Sequence, residues 1–301
     1  MLSRLVFAGL LLELLGYATS GAWLHALRGW SVGSVILLAI AVALGVRLAM
    51  VAMTMLLAWT HRSPRRSLQF AGALRLLWLE WRALLADNFL YLPLEKLLVR
   101  RDPAGPVSRT PVLLVHGFFS NRGYFRTLVR TLDASSGRAV YTGNFSATFA
   151  TIERFAAELH ERIEEVCASS RQPRVILVCH SMGGLAAREY LRVRGGARVE
   201  RLVTIASPHR GTALATFGMG ANARQMARDS EFLRALEAFE GDAGPGVPAL
   251  SIYTRHDNMV APQDTSQLPW ARNVALTGLG HVGILASREL GEVLLAELRG
   301  S

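Results

Sequence analysis

Two long apolar stretches open the chain, at residues 5–27 and 32–59. Only four charged side chains occur over residues 1–61, namely Arg4, Glu13, Arg28 and Arg47. Each stretch is longer than the roughly 20 residues that a helix needs to cross the apolar core of a bilayer. Tryptophans also stand near the ends of the stretches, as they do at membrane interfaces. The pattern predicts two membrane-spanning helices within residues 1–66.

Two alternatives to this interpretation stay open. Either stretch has the composition of a buried core helix. The first also resembles a secretory signal, because Arg4 precedes the apolar run of residues 5–15 and small residues near Ser20 suit cleavage. Glu13, which lies inside that run, argues against a signal.

A different pattern follows over residues 68–99. Apolar side chains recur there at helical spacing and are interrupted by Arg75, Glu80 and Arg82. This spacing predicts an amphipathic helix that lies on the membrane or covers the next domain. Residues 101–106 contain prolines and a glycine, so residues 67–107 are predicted to be an amphipathic helix and a linker.

From residue 108 to residue 301, short apolar runs alternate with helical patterns. The predicted strands are residues 111–115, 139–144, 174–179, 199–206, 248–253 and 273–277. The predicted helices are residues 122–134, 151–168, 183–194 and 284–299. Continuous apolar strands that alternate with helices are typical of a parallel sheet covered on both faces. The sequence therefore predicts an α/β domain over residues 108–301, with a mostly parallel central sheet flanked by helices.

Charge adds to the membrane interpretation. The formal net charge is +10. Residues 1–107 hold 11 basic and 5 acidic side chains, against 22 and 18 in residues 108–301. The excess of basic charge thus stands beside the apolar stretches, where it suits an anionic bilayer surface. No basic stripe with interleaved aromatic residues occurs in the globular part of the sequence, so no nucleic-acid partner is predicted.

The two cysteines, Cys167 and Cys179, stand on apolar faces and lack the spacing of metal ligands. They are predicted to be buried free thiols, and no metal site is predicted. The sequence carries no indication of an oligomeric state.

The segment from Arg174 to Gly184 is the most informative for chemistry. An apolar strand ends in His180-Ser181-Met182-Gly183, and a helical pattern begins at once. Such a sharp turn lifts a serine hydroxyl above the edge of a sheet. Cys179 stands where the G-x-S-x-G pattern has its first glycine. Ser181 is therefore predicted to be a nucleophile; a serine that only caps a helix is the alternative.

A nucleophile of this kind needs an acid and a histidine that follow it in that order along the chain. Of the eight histidines, His281 alone follows Asp257, and it stands between glycines in a predicted loop. His281 is predicted to be the base and Asp257 the acid that holds its tautomer. Asp264, on the same connection, is the alternative acid.

Two backbone N–H groups should bind the negative oxygen that forms during the reaction. Met182, directly after the nucleophile, supplies one, and Phe118, which follows Gly117 in the loop after the first strand, supplies the other. Phe119 and His180 are candidate substrate contacts. Packing in the core is the alternative for Phe119, and a structural role is the alternative for His180.

Taken together, these motifs resemble the α/β-hydrolase family and, within it, the bacterial triacylglycerol lipases. The matching segments are residues 115–118, 180–184, 205–212, 256–257 and 280–285. The resemblance implies lipase or esterase chemistry through an acyl-serine intermediate, without a redox cofactor. It also implies that residues 211–247 are a candidate lid or cap, for which an ordinary crossover helix is the alternative. It does not cover residues 1–107.

The sequence as a whole predicts a membrane-anchored serine hydrolase for lipid or lipid-like esters. An acyltransferase, a thioesterase and a non-catalytic protein tethered to the membrane remain alternatives. Basic residues flank the predicted hairpin at its two ends, with Arg4 before it and Arg62, Arg65, Arg66 and Arg75 after it, whereas its turn carries Arg28 alone. The positive-inside rule then predicts an inner-membrane protein with its catalytic domain on the cytoplasmic face.

Overall fold

The structure is a computed structural model that describes residues 2–63, 68–146 and 148–299. Arg65 and Arg66, two of the arginines that follow the second apolar stretch, lie outside these residues. Two helices come first, α1 (Leu2–Arg28) and α2 (Val32–Thr60). Both are long and apolar enough to cross a membrane, and few of their residues are buried within the protein.

Helices α1 and α2 form an antiparallel hairpin. The Ser31 hydroxyl accepts a hydrogen bond from the Ser34 N–H and so caps the start of α2. Arg47 of α2 forms an ion pair with Glu13 of α1. The two charges that interrupt the apolar stretches therefore neutralise each other between the helices, as charges within apolar surroundings require.

Residues 68–99 do not form one continuous helix. Helix α3 (Phe70–Ala86) runs into a π-helical turn (Asp87–Tyr91), and a short helix α4 (Glu95–Leu98) follows. Pro93 stands between the last two, and a proline cannot donate the hydrogen bond that a continuing helix needs. Helix α3 packs along α2, where the Trp81 indole N–H donates to the Leu44 carbonyl over 3.1 Å.

The α/β domain, which we name the catalytic domain after the function predicted for it, is built on a six-stranded sheet in the order β2-β1-β3-β4-β5-β6, and each neighbouring pair is parallel. The strands are β1 (Val112–Val115), β2 (Val140–Thr142), β3 (Val175–His180), β4 (Val199–Ile205), β5 (Ala249–Thr254) and β6 (Arg272–Leu276). Each predicted strand is present, with ends that differ by at most two residues from those predicted. The predicted fold class is confirmed.

Helices cover both faces of the sheet. They are α5 (Arg126–Ser135), α6 (Ile152–Ser170), α7 (Met182–Arg194), α8 (Ala221–Gln225), α9 (Glu231–Glu240) and α10 (Arg288–Arg299). Strand β1 alternates between two cores, because Leu113 and Val115 pack with α6 and α7 whereas Val112 and Leu114 pack with α5 and α10. The helices predicted at 122–134 and 284–299 each begin with a 3-10 turn.

The N-terminal helices are attached to the catalytic domain at several points. Ser3 in α1 accepts a hydrogen bond from Asn121, and Thr54 in α2 accepts one from Asn258. The start of α1 and the last part of α2 thus both lie against the catalytic domain, beside the loops that follow β1 and β5. In a parallel sheet, loops of this kind at the carboxyl ends of the strands carry the functional residues.

Candidate active site

Ser181 stands at the turn between β3 and α7. Its backbone has φ of 55° and ψ of −128°, which is a strained conformation for a residue with a side chain. The neighbouring loop approaches so closely that a Cβ atom on Gly117 would lie 2.8 Å from the Ser181 Cβ. Only glycine fits at position 117, and this close approach fixes the loop after β1 against the serine.

The structure brings Ser181, His281 and Asp257 together. The His281 Nε2 lies 3.0 Å from the Ser181 Oγ, and its Nδ1 lies 3.0 Å from the Asp257 Oδ2. The other carboxylate oxygen of Asp257 accepts hydrogen bonds from the backbone N–H groups of Met259 and Val260. These bonds fix the carboxylate, and the carboxylate orients the imidazole toward the serine.

The charge around His281 suits a base. Burial lowers the pKa of His281, but the Asp257 carboxylate and, more weakly, that of Glu80 outweigh this effect, so the pKa of the imidazole is raised above its usual value. The site therefore favours the imidazolium that forms when His281 takes a proton. The backbone N–H of His281 donates to the Asn258 Oδ1 over 3.0 Å and fixes the loop itself.

The alternative acid does not contact the histidine. Asp264 lies on the 3-10 turn Gln263–Ser266, where its backbone N–H donates to the Ser63 hydroxyl and its carbonyl accepts from Arg210. Of the two predicted candidates, only Asp257 lies within hydrogen-bonding distance of His281.

The two predicted oxyanion donors belong to segments that adjoin the serine. Met182 is buried at the first position of α7, where a helix leaves its N–H groups without partners inside the helix. A Cβ atom on Gly117 would lie 3.1 Å from the Met182 nitrogen. The loop after β1, in which Phe118 follows Gly117, therefore begins close to the Met182 N–H. The positive end of α7 adds to the attraction for a negative oxygen at this place.

The two predicted substrate contacts have different surroundings. His180 is buried behind His281, with its Nε2 3.0 Å from the His281 carbonyl, and burial holds the pKa of His180 well below its usual value. Phe119 forms an aromatic group with Phe118 and Phe149. Among the described residues, Phe118 and His180 line the cavity above Ser181, whereas Phe119 lies outside its lining.

This cavity has a volume of about 450 Å³, which lies in the usual range for a small-molecule site. Its lining is mostly apolar. Besides Ser181 and His281, it includes Leu214, Phe217 and Met226 from the segment predicted as a candidate lid, and Met53 and Leu57 from α2. The site as a whole can present an ester carbonyl to the serine and hold an acyl chain.

The acidic residue Glu80 was not predicted to be part of the site. Glu80 of α3 is buried, and its carboxylate accepts hydrogen bonds from the backbone N–H groups of Val282 (3.2 Å) and Gly283 (2.6 Å). A Cβ on Gly280 would lie 2.2 Å from the Glu80 Cδ, so the glycine makes room for this carboxylate. Burial raises the pKa of Glu80 to about 7, although the two backbone hydrogen bonds and His281 oppose the rise.

A signal for Glu80 was present in the sequence. Glu80 stands three or four positions from Leu76, Leu77 and Leu84, so it falls on the apolar stripe of the predicted helix. An acidic side chain on such a stripe is buried when the helix packs, and a buried acid needs donors. The sequence does not show that these donors lie about 200 positions further along the chain.

A parallel sheet with a serine at the strand-to-helix turn, and with a histidine and an acid on later loops, is typical of α/β hydrolases. Residues 112–293, more than half of the chain, match the model of the alpha/beta hydrolase family. The chain belongs to this family, and the predicted family resemblance is confirmed.

Similar proteins include several lipases. A triacylglycerol lipase of Vibrio cholerae is 31% identical over 118 residues, which are 38% of this chain and 37% of the lipase. The chain therefore matches little more than a third of the length of this curated relative. The structure of Aspergillus fumigatus lipase B has a TM-score of 0.59 at 20% identity, with 66% of this chain and 55% of that chain covered.

A Bacillus licheniformis lipase in its mature form has a TM-score of 0.55 at 17% identity, and 67% of this chain and 95% of that chain are covered. At these identities the two structural likenesses establish the fold alone, and they leave the substrate open.

Proposed function

We propose that the chain is a membrane-anchored serine hydrolase that cleaves carboxylic esters of lipids through an acyl-serine intermediate. One observation carries the proposal, namely the hydrogen-bonded series of Ser181, His281 and Asp257 at the base of an apolar cavity. The similarity to lipases supports the choice of an ester as the substrate.

The reaction proceeds in two halves. In the first, the Ser181 Oγ attacks the ester carbonyl carbon while the His281 Nε2 takes the hydroxyl proton, and the N–H groups of Phe118 and Met182 bind the oxyanion. When the intermediate collapses, His281 gives its proton to the departing alcohol, which leaves an acyl-serine. In the second half, water attacks the acyl carbon while His281 takes a proton from it; the bond between that carbon and the Ser181 Oγ then breaks, His281 returns the proton to the Oγ, and the free acid leaves.

The two long apolar helices and the basic charge beside them support the membrane anchor. The contacts of Ser3 and Thr54 with the catalytic domain suit a hairpin whose two ends emerge on one side of the bilayer. With the excess of arginines at these ends, the positive-inside rule puts the catalytic domain on the cytoplasmic face of the inner membrane.

The region over residues 211–247 supplies part of the cavity wall and carries Phe217 and Met219, which are 68% and 70% exposed. Exposed apolar side chains at the mouth of a cavity are suited to a lid that contacts lipid. The lid remains part of the proposal.

The test is Ser181→Ala in the full-length, detergent-solubilised protein. We expect loss of hydrolysis of a p-nitrophenyl ester and loss of labelling by a fluorophosphonate, which reacts only with an activated serine. Ser169→Ala is the matched control, because Ser169 is exposed on α6 away from the site. Wild-type turnover in the Ser181 variant would refute the nucleophile. If the wild-type protein neither turns over esters nor takes the label, the non-catalytic alternative holds.

A further inference from the structure

The cavity above Ser181 is completed by a helix that lies outside the family domain. Met53, Thr54 and Leu57 of α2 line it together with Ser181 and His281. The match to the family model begins only at residue 112. The wall that α2 gives to the cavity therefore lies outside residues 112–293, the part of the chain that matches the family model.

Hydrogen bonds hold α2 in place at the cavity. The Asn258 Nδ2 donates to the Thr54 Oγ1 over 2.9 Å, and the Asn258 Oδ1 accepts the His281 N–H over 3.0 Å. Just beyond the end of α2, the Ser63 N–H donates to the Gln263 side chain over 3.1 Å. Helix α2 is thus joined by direct contacts to the loop that carries Asp257 and, through one side chain, to His281.

The same part of α2 also faces outward with apolar side chains. Met53 is 57% exposed although it lines the cavity, and Leu56 and Trp59 are 61% and 59% exposed. Phe217, at the mouth of the cavity, is 68% exposed. An apolar helix of 29 residues with exposed faces of this kind is suited to a bilayer around it. The apolar exterior of α2 and the mouth of the cavity are therefore continuous.

We propose that α2 forms one wall of the acyl-binding pocket and that the pocket takes long-chain lipid esters directly from the bilayer leaflet in which α2 lies. This inference rests on the proposed ester hydrolase function and deepens it by naming the substrate class. The substrate is an ester whose acyl chain already resides in the membrane, so that the chain passes along α2 into the cavity without crossing water.

The first test changes the α2 wall. Met53→Trp fills the pocket, so we expect the ratio of kcat/KM for a p-nitrophenyl palmitate over a p-nitrophenyl butyrate to fall about ten-fold. The matched control is Leu37→Trp, at an exposed position near the other end of α2, where we expect the wild-type ratio. Met53→Gln keeps the side-chain size but introduces an amide, and it should lower the ratio as well. This second variant keeps the inference testable if the tryptophan variant fails to fold.

The second test asks where the substrate comes from. The full-length protein is reconstituted into phosphatidylcholine vesicles that contain a long-chain diacylglycerol, and protein-free vesicles carry the same lipid with an isotopic label. We expect hydrolysis of the diacylglycerol in the protein's own vesicles and at least about ten-fold slower hydrolysis of the labelled lipid. Equal rates for the two populations would overturn the leaflet route.

The failures of the two proposals can be distinguished. If the protein takes the fluorophosphonate label and cleaves butyrate esters, but both Met53 variants keep the wild-type chain-length ratio, then α2 is not a wall of the acyl pocket although the serine hydrolase function stands. If the wild-type protein shows neither labelling nor turnover, the proposed function fails first.

Discussion

At the scale of single residues, the candidate site depends on the hydrogen bonds that fix the Asp257 carboxylate. Asp257 uses one carboxylate oxygen for two backbone N–H groups and the other for His281, so both oxygens have defined partners. Such an acid is fixed before the reaction begins, and it does not need to reorganise when the imidazolium forms. Asp264, on the turn Gln263–Ser266 of the same connection, does not contact His281 in this way.

We expect Asp257→Asn to lower kcat by about 10⁴-fold, because an asparagine amide at this place favours the wrong tautomer of the histidine. The matched control is Asp264→Asn, which should stay within a few-fold of wild type, roughly the effect of a surface substitution. Both are measured on a p-nitrophenyl ester with a thermal melt to compare folding. The opposite ranking of the two variants would move the acid to Asp264.

The order of serine, acid and histidine could be predicted from the sequence because each residue follows a recognisable apolar strand. Asp257 was predicted to be the acid, but Asp264 stayed open as the alternative, since both lie on one connection and only the path of the loop decides which carboxylate reaches the imidazole. Glu80 was missed for a related reason. Its partners, Val282 and Gly283, are backbone groups of a distant loop, and backbone donors leave no trace in a sequence pattern.

At the scale of elements, the contact between α3 and the loop that follows β6 is the unusual feature. A carboxylate on a helix outside the family domain holds the backbone beside His281. Because Glu80 is also negatively charged when ionised, it acts on the histidine in two ways: it positions the loop, and it raises the pKa of the imidazole. Activity should therefore depend on Glu80 in a pH-sensitive manner.

We expect Glu80→Gln to move the acidic limb of the pH profile of kcat/KM to lower pH. The base must be neutral to act, so this limb follows the pKa of His281 in the free enzyme. Because the pKa of Glu80 is about 7, its carboxyl is ionised in part over this limb, so glutamine removes a partial negative charge beside His281 and lowers the pKa of the imidazole by a small amount. The variant should also lose about 1–3 kcal/mol of stability, because a buried backbone donor loses its acceptor.

The control for this prediction is Glu289→Gln, which removes an exposed acidic charge from α10, close in sequence to the same loop. Its pH profile should match that of the wild-type protein. A purely structural role for Glu80 would lower stability or kcat without moving the limb, and that result would contradict the electrostatic effect on His281.

The elements that could be predicted best were those with continuous apolar runs, which is why each of the six strands was found. The helix predicted over residues 68–99 was wrong in its length, since the π-helical turn and Pro93 divide it. Helix α2 was predicted to be a membrane span, with a buried core helix as the alternative, and not to be part of the site. An apolar helix carries the same sequence signal whether it faces lipid or lines a pocket, so its place in the cavity wall became visible only in the structure.

At the scale of the whole molecule, the hairpin and the catalytic domain form one connected arrangement. The beginning of α1 and the end of α2 both contact the catalytic domain, through Ser3 and through Thr54 and Ser63. The short turn between the helices lies at the far end of the hairpin, since α1 and α2 are antiparallel and of similar length. If the hairpin crosses a bilayer, this turn and the catalytic domain must lie on opposite sides.

The last prediction follows from this arrangement and from the basic charge. Arg4 lies in the first turn of α1, and Arg62, Arg65, Arg66 and Arg75 follow α2, whereas the only arginine beside the turn between the helices is Arg28, the last residue of α1. We therefore expect residue 301 in the cytoplasm and the turn outside. The test fuses two reporters, one active only in the cytoplasm and one active only outside, after Ser301 and, as the matched control, after Trp30. The cytoplasmic reporter should be active at residue 301 and the outside reporter at residue 30. Activity of the outside reporter at residue 301 would overturn the topology. It would also remove the reducing compartment that suits two free buried thiols, Cys167 and Cys179.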